Sequence, residues 1–222
     1  MKICLVPNKK VNEHFKTESV NADLVVFSML GEREINFKKE LEGKSEKLST
    51  ITQISKDIDG GIFCGCITDT YGQKRKSVAI ANKGKLLGVT DRKFKLSTDD
   101  YASGGGDRVF SIGERKIGLL VAEDLFFYEI SKSLVDVGCD MLVCVFDTET
   151  NHLPLIVMRS IAFCEGVPCA LVSCNHASLI SSKGDVVESK NSTFVVEDYF
   201  EIKTFQDITY KKKGNFKVDL DM

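Results

Sequence analysis

The most informative stretch of the chain is Lys116-Ile-Gly-Leu-Leu-Val-Ala-Glu-Asp-Leu-Phe-Phe-Tyr-Glu129. Its first part, Ile117 to Val121, is an apolar run of strand length, and Glu123 and Asp124 follow at the end of the run. The apolar and acidic segment that comes next could begin a helix. Because open α/β sheets place their chemistry where a strand tip feeds a helix, the stretch predicts an α/β fold with a site at this tip.

The same stretch resembles the segment of the nitrilase (carbon-nitrogen hydrolase) superfamily that carries the catalytic cysteine. That segment typically reads Gly-Arg-Ile-Gly-Leu-x-Ile-Cys-Tyr-Asp-x-x-Phe-Pro-Glu. Gly118, Asp124, Phe127 and Glu129 match it, and Ala122 stands in the place of the cysteine. The resemblance extends in order from about residue 1 to about residue 198. It implies a four-layer α-β-β-α sandwich, with two sheets packed face to face and helices on both outer sides.

The catalytic glutamate of the family ends a strand that reads Leu-Val-Val-Phe-Pro-Glu. Here the buried strand predicted over Asp23–Phe27 is followed by Ser28 and Met29, so Met29 takes the place of the glutamate. Glu32 and Glu34 come next in the chain. A shift of three or five residues would carry either carboxylate many ångströms beyond a strand tip.

The catalytic lysine of the family follows a hairpin in a Tyr-Arg-Lys-x-His-Leu segment. The corresponding residues place Lys93 there, between Arg92 and Lys95. Lys93 is either a binder of anions or carbonyl groups, or a plain surface residue. Glu123 borders the expected pocket, where it could pair with Lys93 to give a neutral polar site, or it could face solvent.

Hydrolysis in this family needs a thiolate nucleophile, a carboxylate base and an ammonium that stabilises the tetrahedral intermediate. The side chains of Ala122 and Met29 can supply neither of the first two. We therefore predict a catalytically inactive family member that binds a small amide- or carboxylate-containing metabolite or a protein partner. Because Ser28 and Met29 also depart from the family pattern, Ala122 is interpreted as a natural loss, not an engineered one.

The alternative prediction is an active amidase, of the ω-amidase type, with a rearranged site. Its nucleophile would be Cys144 or a loop cysteine, and its base Glu123 or Glu32. Most of the eight cysteines lie in apolar contexts, including Cys64 and Cys66, and are expected to be buried packing residues.

Composition excludes several other classes of function. With a net charge of −2 and a pI of about 6.0, no global field favours nucleic acid or an anionic membrane. The basic clusters Lys74–Lys76 and Lys211–Lys213 are expected to be solvated turns. The histidines, His14, His152 and His176, are scattered, so neither a metal site nor a Ser-His-Asp arrangement is predicted.

Organisation along the chain predicts one domain over residues 1–222, with residues 199–222 as a C-terminal tail. Ile35–Ile58 is expected to form one long helix or two short ones, and Ser97–Asp107 a mobile surface loop. Leu179–Val187 and Ser192–Val196 are expected to pair as a hairpin. No cofactor, signal peptide or membrane span is expected, so the protein should be cytoplasmic, and the resemblance implies a homo-oligomer.

Overall fold

The structure is a computed structural model that describes residues 1–17, 20–95, 99–147, 152–196, 208–210 and 216–218. Two six-stranded sheets form its centre. The first sheet has the order β12 (Phe194–Val196), β1 (Ile3–Val6), β2 (Leu24–Asn36), β3 (Gly61–Thr70), β4 (Gln73–Asn82) and β5 (Lys85–Asp91). The second has the order β11 (Val186–Lys190), β10 (Ala177–Ile180), β9 (Cys169–Val172), β8 (Met141–Val145), β7 (Arg115–Val121) and β6 (Val109–Ile112).

Helices cover both outer faces of the two sheets. They are α1 (Val11–Thr17), α2 (Phe37–Leu41), α3 (Lys47–Asp57), α4 (Tyr128–Asp136) and α5 (Leu153–Glu165), with a 3-10 helix over Ala122–Phe126. A short antiparallel pair, β13 (Ile208–Tyr210) and β14 (Phe216–Val218), lies in the predicted tail. None of the helices in the described ranges is long and apolar enough to cross a bilayer.

Three apolar clusters separate the four layers. The cluster between the sheets takes residues from both, such as Phe63 from β3 and Leu119 from β7. A second cluster joins β7–β10 to α4 and α5, and a third joins the first sheet to α1 and α3. Alternate residues of each strand face opposite sides, so an apolar strand buried on both faces supplies two of these clusters at once. The predicted α-β-β-α sandwich is confirmed.

The site is positioned by parallel strands. β1, β2 and β3 run parallel in the first sheet, and β7, β8 and β9 run parallel in the second. The carboxyl ends of β7, β8 and β9 therefore meet at one edge, where Ala122, Asp147 and Cys174 follow them. We call this edge of the sandwich, with the residues of the first sheet that face it, the C-terminal edge.

Two predictions about β2 and the last strands are wrong. β2 does not end at Phe27 but continues to Asn36, because a bulge absorbs the irregular residues and lets the strand resume its pairing with β3. The segment Ser192–Val196 does not pair with Leu179–Val187. β10 pairs with β11, whereas β12 crosses to the first sheet and pairs with β1, where Phe194 is buried in the core between the sheets.

Two further predictions concern irregular segments. The charged region that could have been one long helix forms two, α2 and α3, separated at Gly43, whose φ is +68°. The segment 99–107 of the expected mobile surface loop does lie largely at the surface, and backbone hydrogen bonds anchor it beside β4 and β5. Ala102 N donates to Lys74 O at 2.9 Å, and Gly104 N donates to Arg92 O at 2.9 Å. Residues 96–98 and the basic cluster at 211–213 lie outside the described ranges.

Candidate functional site

Ala122 lies at a sharp turn between β7 and the 3-10 helix. Its φ is +49° and it is fully buried. A left-handed backbone costs a residue with a Cβ roughly 1–2 kcal/mol, so the surrounding structure must impose this conformation. A strained strand-to-helix turn is a geometry that presents a nucleophile at the tip of a sheet. The methyl group of Ala122 cannot act as one.

Met29 lies in a bulge of β2. Phe27 pairs with Cys64 and Glu32 pairs with Cys66, so four residues of β2 stand opposite one residue of β3. That residue is Gly65, where a Cβ would overlap the carbonyl of Ser28. Ser28 Oγ also donates to Pro7 O, which ties the bulge to the end of β1.

The bulge directs Met29 into the apolar cluster between the sheets. Met29 is 6% exposed, and Ala122 belongs to the same cluster. Met29 and Ala122, which the resemblance sets in the places of the glutamate and the cysteine, therefore both lie in the core between the sheets. Both are apolar and both are shielded from water.

Glu32 lies on the other face of the first sheet. Its Oε2 is 3.1 Å from Nζ of Lys47, which begins α3. Its strand partner Cys66 belongs to the cluster under α1 and α3, not to the one that contains Ala122. Since the sheet separates Glu32 from Ala122, Glu32 is not placed to act as a base at the turn.

Lys93 contributes its backbone to this region, while its side chain is exposed. Its N–H donates to both carboxylate oxygens of Asp124 at 2.9 Å, and Phe94 N donates to Asp124 Oδ1 at 3.1 Å. Arg108 Nη1 lies 2.9 Å from Asp124 Oδ2. Burial raises the pKa of Asp124, and these donors offset part of that rise. The chain at Lys93 is thus held beside the turn, but the Lys93 ammonium is not directed into the core.

Glu123 pairs with two other cations in place of Lys93. Its Oε1 is 2.7 Å from Lys76 Nζ and its Oε2 is 2.7 Å from Arg92 Nη1. Glu123 is 9% exposed and Arg92 is fully buried. Burial alone would raise the pKa of Glu123, but the bonds from Lys76 and Arg92 outweigh it and hold the pKa below the ordinary value. Glu123 is therefore a carboxylate with both oxygens occupied.

Further carboxylates complete the ion network around these cations. Asp99, from the anchored loop, contacts Arg92 Nη1, and Asp147 Oδ2 lies 3.4 Å from Lys76 Nζ. Burial would lower the pKa of Lys76, but Glu123 and the neighbouring carboxylates raise it above its ordinary value. We call Lys76, Arg92, Asp99, Glu123 and Asp147 the charge cluster. It joins both sheets at the C-terminal edge.

Sequence reasoning missed the two cations of the charge cluster. Lys76 was grouped with a basic cluster expected to be a solvated turn, and Arg92 was treated only as a neighbour of Lys93. The available signal was the apolar, strand-like run at residues 78–81 that follows Lys76 in the chain. A lysine that heads a buried strand requires a carboxylate partner, and Glu123 was the acidic residue already assigned to the pocket.

All eight cysteines fall within the described ranges, and none is joined in a disulfide. Cys144 is fully buried in the cluster under α4 and α5, on the opposite face of the second sheet from Ala122. Burial raises the pKa of the Cys66 thiol to about 12, and it also raises the pKa of Cys64. Cys174 differs from these, because it is half-buried at the C-terminal edge with Sγ 3.7 Å from Asp147 Oδ1.

Metal binding has no support among the described residues, which contain no group of three or more His, Cys, Asp or Glu side chains arranged to hold an ion. Two cavities lie away from Ala122. One, of about 340 Å³, opens at the opposite end of the sandwich beside Asp59 and Arg115. The other, of about 170 Å³, lies between the 3-10 helix and α5.

The two sheets and their outer helices together form the fold of the nitrilase-superfamily amidases. Nit3 from Saccharomyces cerevisiae, a member of branch 10 of that superfamily, matches with a TM-score of 0.72 and 14% identity, over 90% of this chain and 92% of Nit3. A mutant amidase from Nesterenkonia sp. AN1, with acrylamide added at its active site cysteine, matches with a TM-score of 0.70 and 14% identity, over 90% of this chain and 95% of the amidase.

A third match is the glutamine-dependent NAD+ synthetase from Acinetobacter baumannii. Its TM-score is 0.65 and its identity 17%, over 87% of this chain and 44% of the synthetase. At such identities the likeness is one of fold. No family model matches the sequence, and no curated protein matches it significantly.

Proposed function

We propose that this protein is a nitrilase-fold member that does not hydrolyse carbon-nitrogen bonds at the turn and acts as a binding protein. The observation that carries the proposal is the state of Glu123. The carboxylate nearest the turn is held by Lys76 and Arg92 with its pKa lowered, so it is a poor proton acceptor. Ala122 beside it offers no atom that could attack a carbonyl carbon.

Removal of one member of a catalytic unit already abolishes most of its rate. Here the thiol and the base are both replaced by apolar side chains, and Ala122 and Met29 belong to the same core between the sheets. A buried glutamate at the position of Met29 would be costly without its catalytic partners, whereas methionine is compatible with an apolar neighbourhood. The two replacements are consistent with each other.

Of the two kinds of ligand that the sequence left open, burial favours a protein partner over a small metabolite. Ala122 is fully buried and the charge cluster already neutralises its own cations. A small amide or carboxylate would have to displace Glu123 from two short ion pairs. We infer that the partner is a second copy of this chain, which binds the apolar face formed by the 3-10 helix and α5.

The test of lost catalysis is restoration. Ammonia release from short amides, ω-amides and nitriles should be absent in wild type and in Ala122→Cys, because the thiol would lack a base. Ala122→Cys with Met29→Glu should exceed the sum of the two single variants, since the members of such a unit are strongly non-additive. The matched control is Ala122→Ser with Met29→Glu, which supplies the base but not the thiol. Wild-type turnover of about 1 per second or more would refute the proposal.

One contact favours a second candidate function, amide hydrolysis by a relocated nucleophile. Cys174 Sγ lies 3.7 Å from Asp147 Oδ1, and Asp147 Oδ2 lies 3.4 Å from Lys76 Nζ. A thiol, a carboxylate and an ammonium are thus neighbours at the C-terminal edge. These are the three kinds of group that the chemistry needs, supplied by the ends of β8 and β9 and by β4.

Thiol labelling separates the two candidates. If Cys174 is a nucleophile, iodoacetamide near neutral pH should modify it much faster than the exposed Cys164, and Asp147→Asn should change that rate. Because Cys164 lies in the groove of the apolar face proposed for dimerisation, its reference rate is taken in Ile156→Glu, which is expected to be a monomer. A Cys174 that reacts no faster than Cys164 would remove this candidate and leave the binding role.

A further inference from the structure

A second polar constellation surrounds His176 at the start of β10. His176 Nε2 lies 2.7 Å from Ser178 Oγ and 2.8 Å from Ser189 Oγ, while Nδ1 lies 2.9 Å from Asn191 Oδ1. The two serine oxygens are 3.1 Å apart. The pairing of β10 with β11 sets Ser178 opposite Ser189, so the register of the sheet fixes the cluster.

The cluster lies on the outer face of the second sheet. Ala177 and Leu179, the neighbours of Ser178 in β10, belong to the core between the sheets, so Ser178 points the other way. The charge cluster and Ala122 take no part in these contacts. The constellation is therefore separate from the site described above.

Hydrogen bonding selects one tautomer of His176. An amide oxygen can only accept, so Asn191 Oδ1 requires the proton to be on Nδ1. Nε2 is then left with a lone pair that accepts a serine hydroxyl. This is the arrangement of a nucleophile, a base and a residue that orients the base, with every link at hydrogen-bond distance.

The base is held in place from its backbone as well. His176 O accepts from Ser173 N at 2.8 Å and from Ser173 Oγ at 2.9 Å. Asn191 O accepts from Asn8 Nδ2 at 3.1 Å, where the chain crosses from β11 to β12. Groups fixed by several bonds need little reorganisation before a reaction.

Exposure distinguishes the two serines. Ser178 is fully buried, whereas Ser189 is exposed on β11. β11 is an edge strand of its sheet, and edge strands present backbone N–H groups that are not used in pairing. Such groups are the donors that a developing oxyanion requires.

We propose that Ser189 is a nucleophile for acyl esters, with His176 as its base and Asn191 as the positioning residue. Ser189 Oγ would attack the acyl carbon and pass its proton to His176 Nε2. The alkoxide would leave with that proton, and water would hydrolyse the acyl serine to regenerate the hydroxyl. Ser178 would hydrogen-bond to Ser189 and keep it oriented.

A fluorophosphonate tests the assignment on the full chain without a known substrate. Attack by Ser189 Oγ forms an oxygen–phosphorus bond, expels fluoride and delivers the proton to His176. Peptide mapping by mass spectrometry should locate the adduct on Ser189. Ser189→Ala should abolish the adduct, and His176→Gln should slow its formation at least about tenfold, as expected for loss of a general base.

Matched variants keep the test independent of folding. Ser192, an exposed serine nearby, should remain unlabelled. Asn191→Asp keeps the acceptor and should retain labelling, whereas Asn191→Leu should lose it at an unchanged Tm. Failure of wild type to form the adduct, or a rate at Ser189 that is the same in His176→Gln, would overturn the proposal.

Discussion

At the scale of single residues, Ala122 has a left-handed backbone conformation, although its side chain is a methyl group that cannot act as a nucleophile. A φ of +49° at a buried alanine is costly, and the turn persists because Asp124, two residues on, binds the backbone at Lys93 and Phe94. In the neighbouring Glu123, by contrast, both carboxylate oxygens form ion pairs, one with Lys76 and one with Arg92. Through Lys76 and Arg92, Glu123 joins the two sheets.

We expect Glu123→Gln to destabilise the protein by about 3 kcal/mol, because it leaves Lys76 and Arg92 buried beside a neutral partner. Urea unfolding should report a lower free energy of unfolding at an unchanged slope. Lys76→Met with Glu123→Leu should recover part of the loss. The control, Glu34→Gln, removes a pair with Lys74 that is largely exposed and should leave the midpoint in place.

The lowered pKa of Glu123 gives stability a defined dependence on pH. The ordinary value is about 4.3, so Glu123 stabilises the folded state above that pH and loses this contribution as the pH falls through its lower folded value. Asp99, whose pKa is also lowered, acts in the same direction. Asp124 opposes both, because its raised pKa favours proton binding by the folded state.

As the pH is lowered stepwise below about 5, the urea midpoint should therefore decrease more for wild type than for Glu123→Gln. Glu34→Gln should follow the wild-type curve. Identical slopes for wild type and Glu123→Gln would mean that Glu123 is not held by the charge cluster in solution.

At the scale of elements, the bulge in β2 decides which residues meet. The sequence was sufficient for the strand before Phe27, since an apolar run of that length predicts a buried strand. It was not sufficient for the residues after Phe27, because the bulge depends on a glycine in another strand. Gly65 on β3 admits the carbonyl of Ser28, and no pattern within β2 reveals that contact.

Features set by local pattern were predicted, whereas features set by contacts between residues distant in the chain were not. Local pattern predicted that α2 and α3 could be separate, and Gly43 at a positive φ separates them. The crossing of β12 to the first sheet and the partners of Glu123 both depend on residues far away in the chain. Such long-range pairings lie beyond what periodicity can predict.

We expect Gly65→Ala to destabilise the protein by about 3 kcal/mol, since its Cβ would overlap the Ser28 carbonyl and lie 2.8 Å from Met29 N. Backbone atoms cannot move aside as a flexible side chain would. The control is Gly105→Ala, where a Cβ meets nothing within 4 Å. Urea unfolding of both variants should separate them clearly, and equal stabilities would show that the bulge is not held against β3.

At the scale of the whole molecule, one outer face carries several exposed apolar side chains. α5 and the 3-10 helix flank a groove of about 170 Å³ lined by Leu125, Val157 and Cys164. The exposed apolar side chains on and beside it are Phe126, Tyr128, Leu153, Ile156 and Phe163. Exposed apolar side chains grouped on one face are typical of an interaction surface, and isologous dimers use the same face on both subunits.

We therefore expect wild type to be a dimer by light scattering at micromolar concentration and Ile156→Glu to be a monomer. Ile156 is 55% exposed on α5, so a charge there costs little in the folded monomer. In a dimer the same charge would be buried against apolar side chains of the second copy, at a cost that exceeds the contribution of one contact.

Leu86→Glu is the matched control, because Leu86 is 38% exposed on β5 of the other sheet. A dimer that survives Ile156→Glu but not Leu86→Glu would assign the interface to the first sheet. If wild type is a monomer at this concentration, the inference that α5 binds a second copy of the chain is wrong.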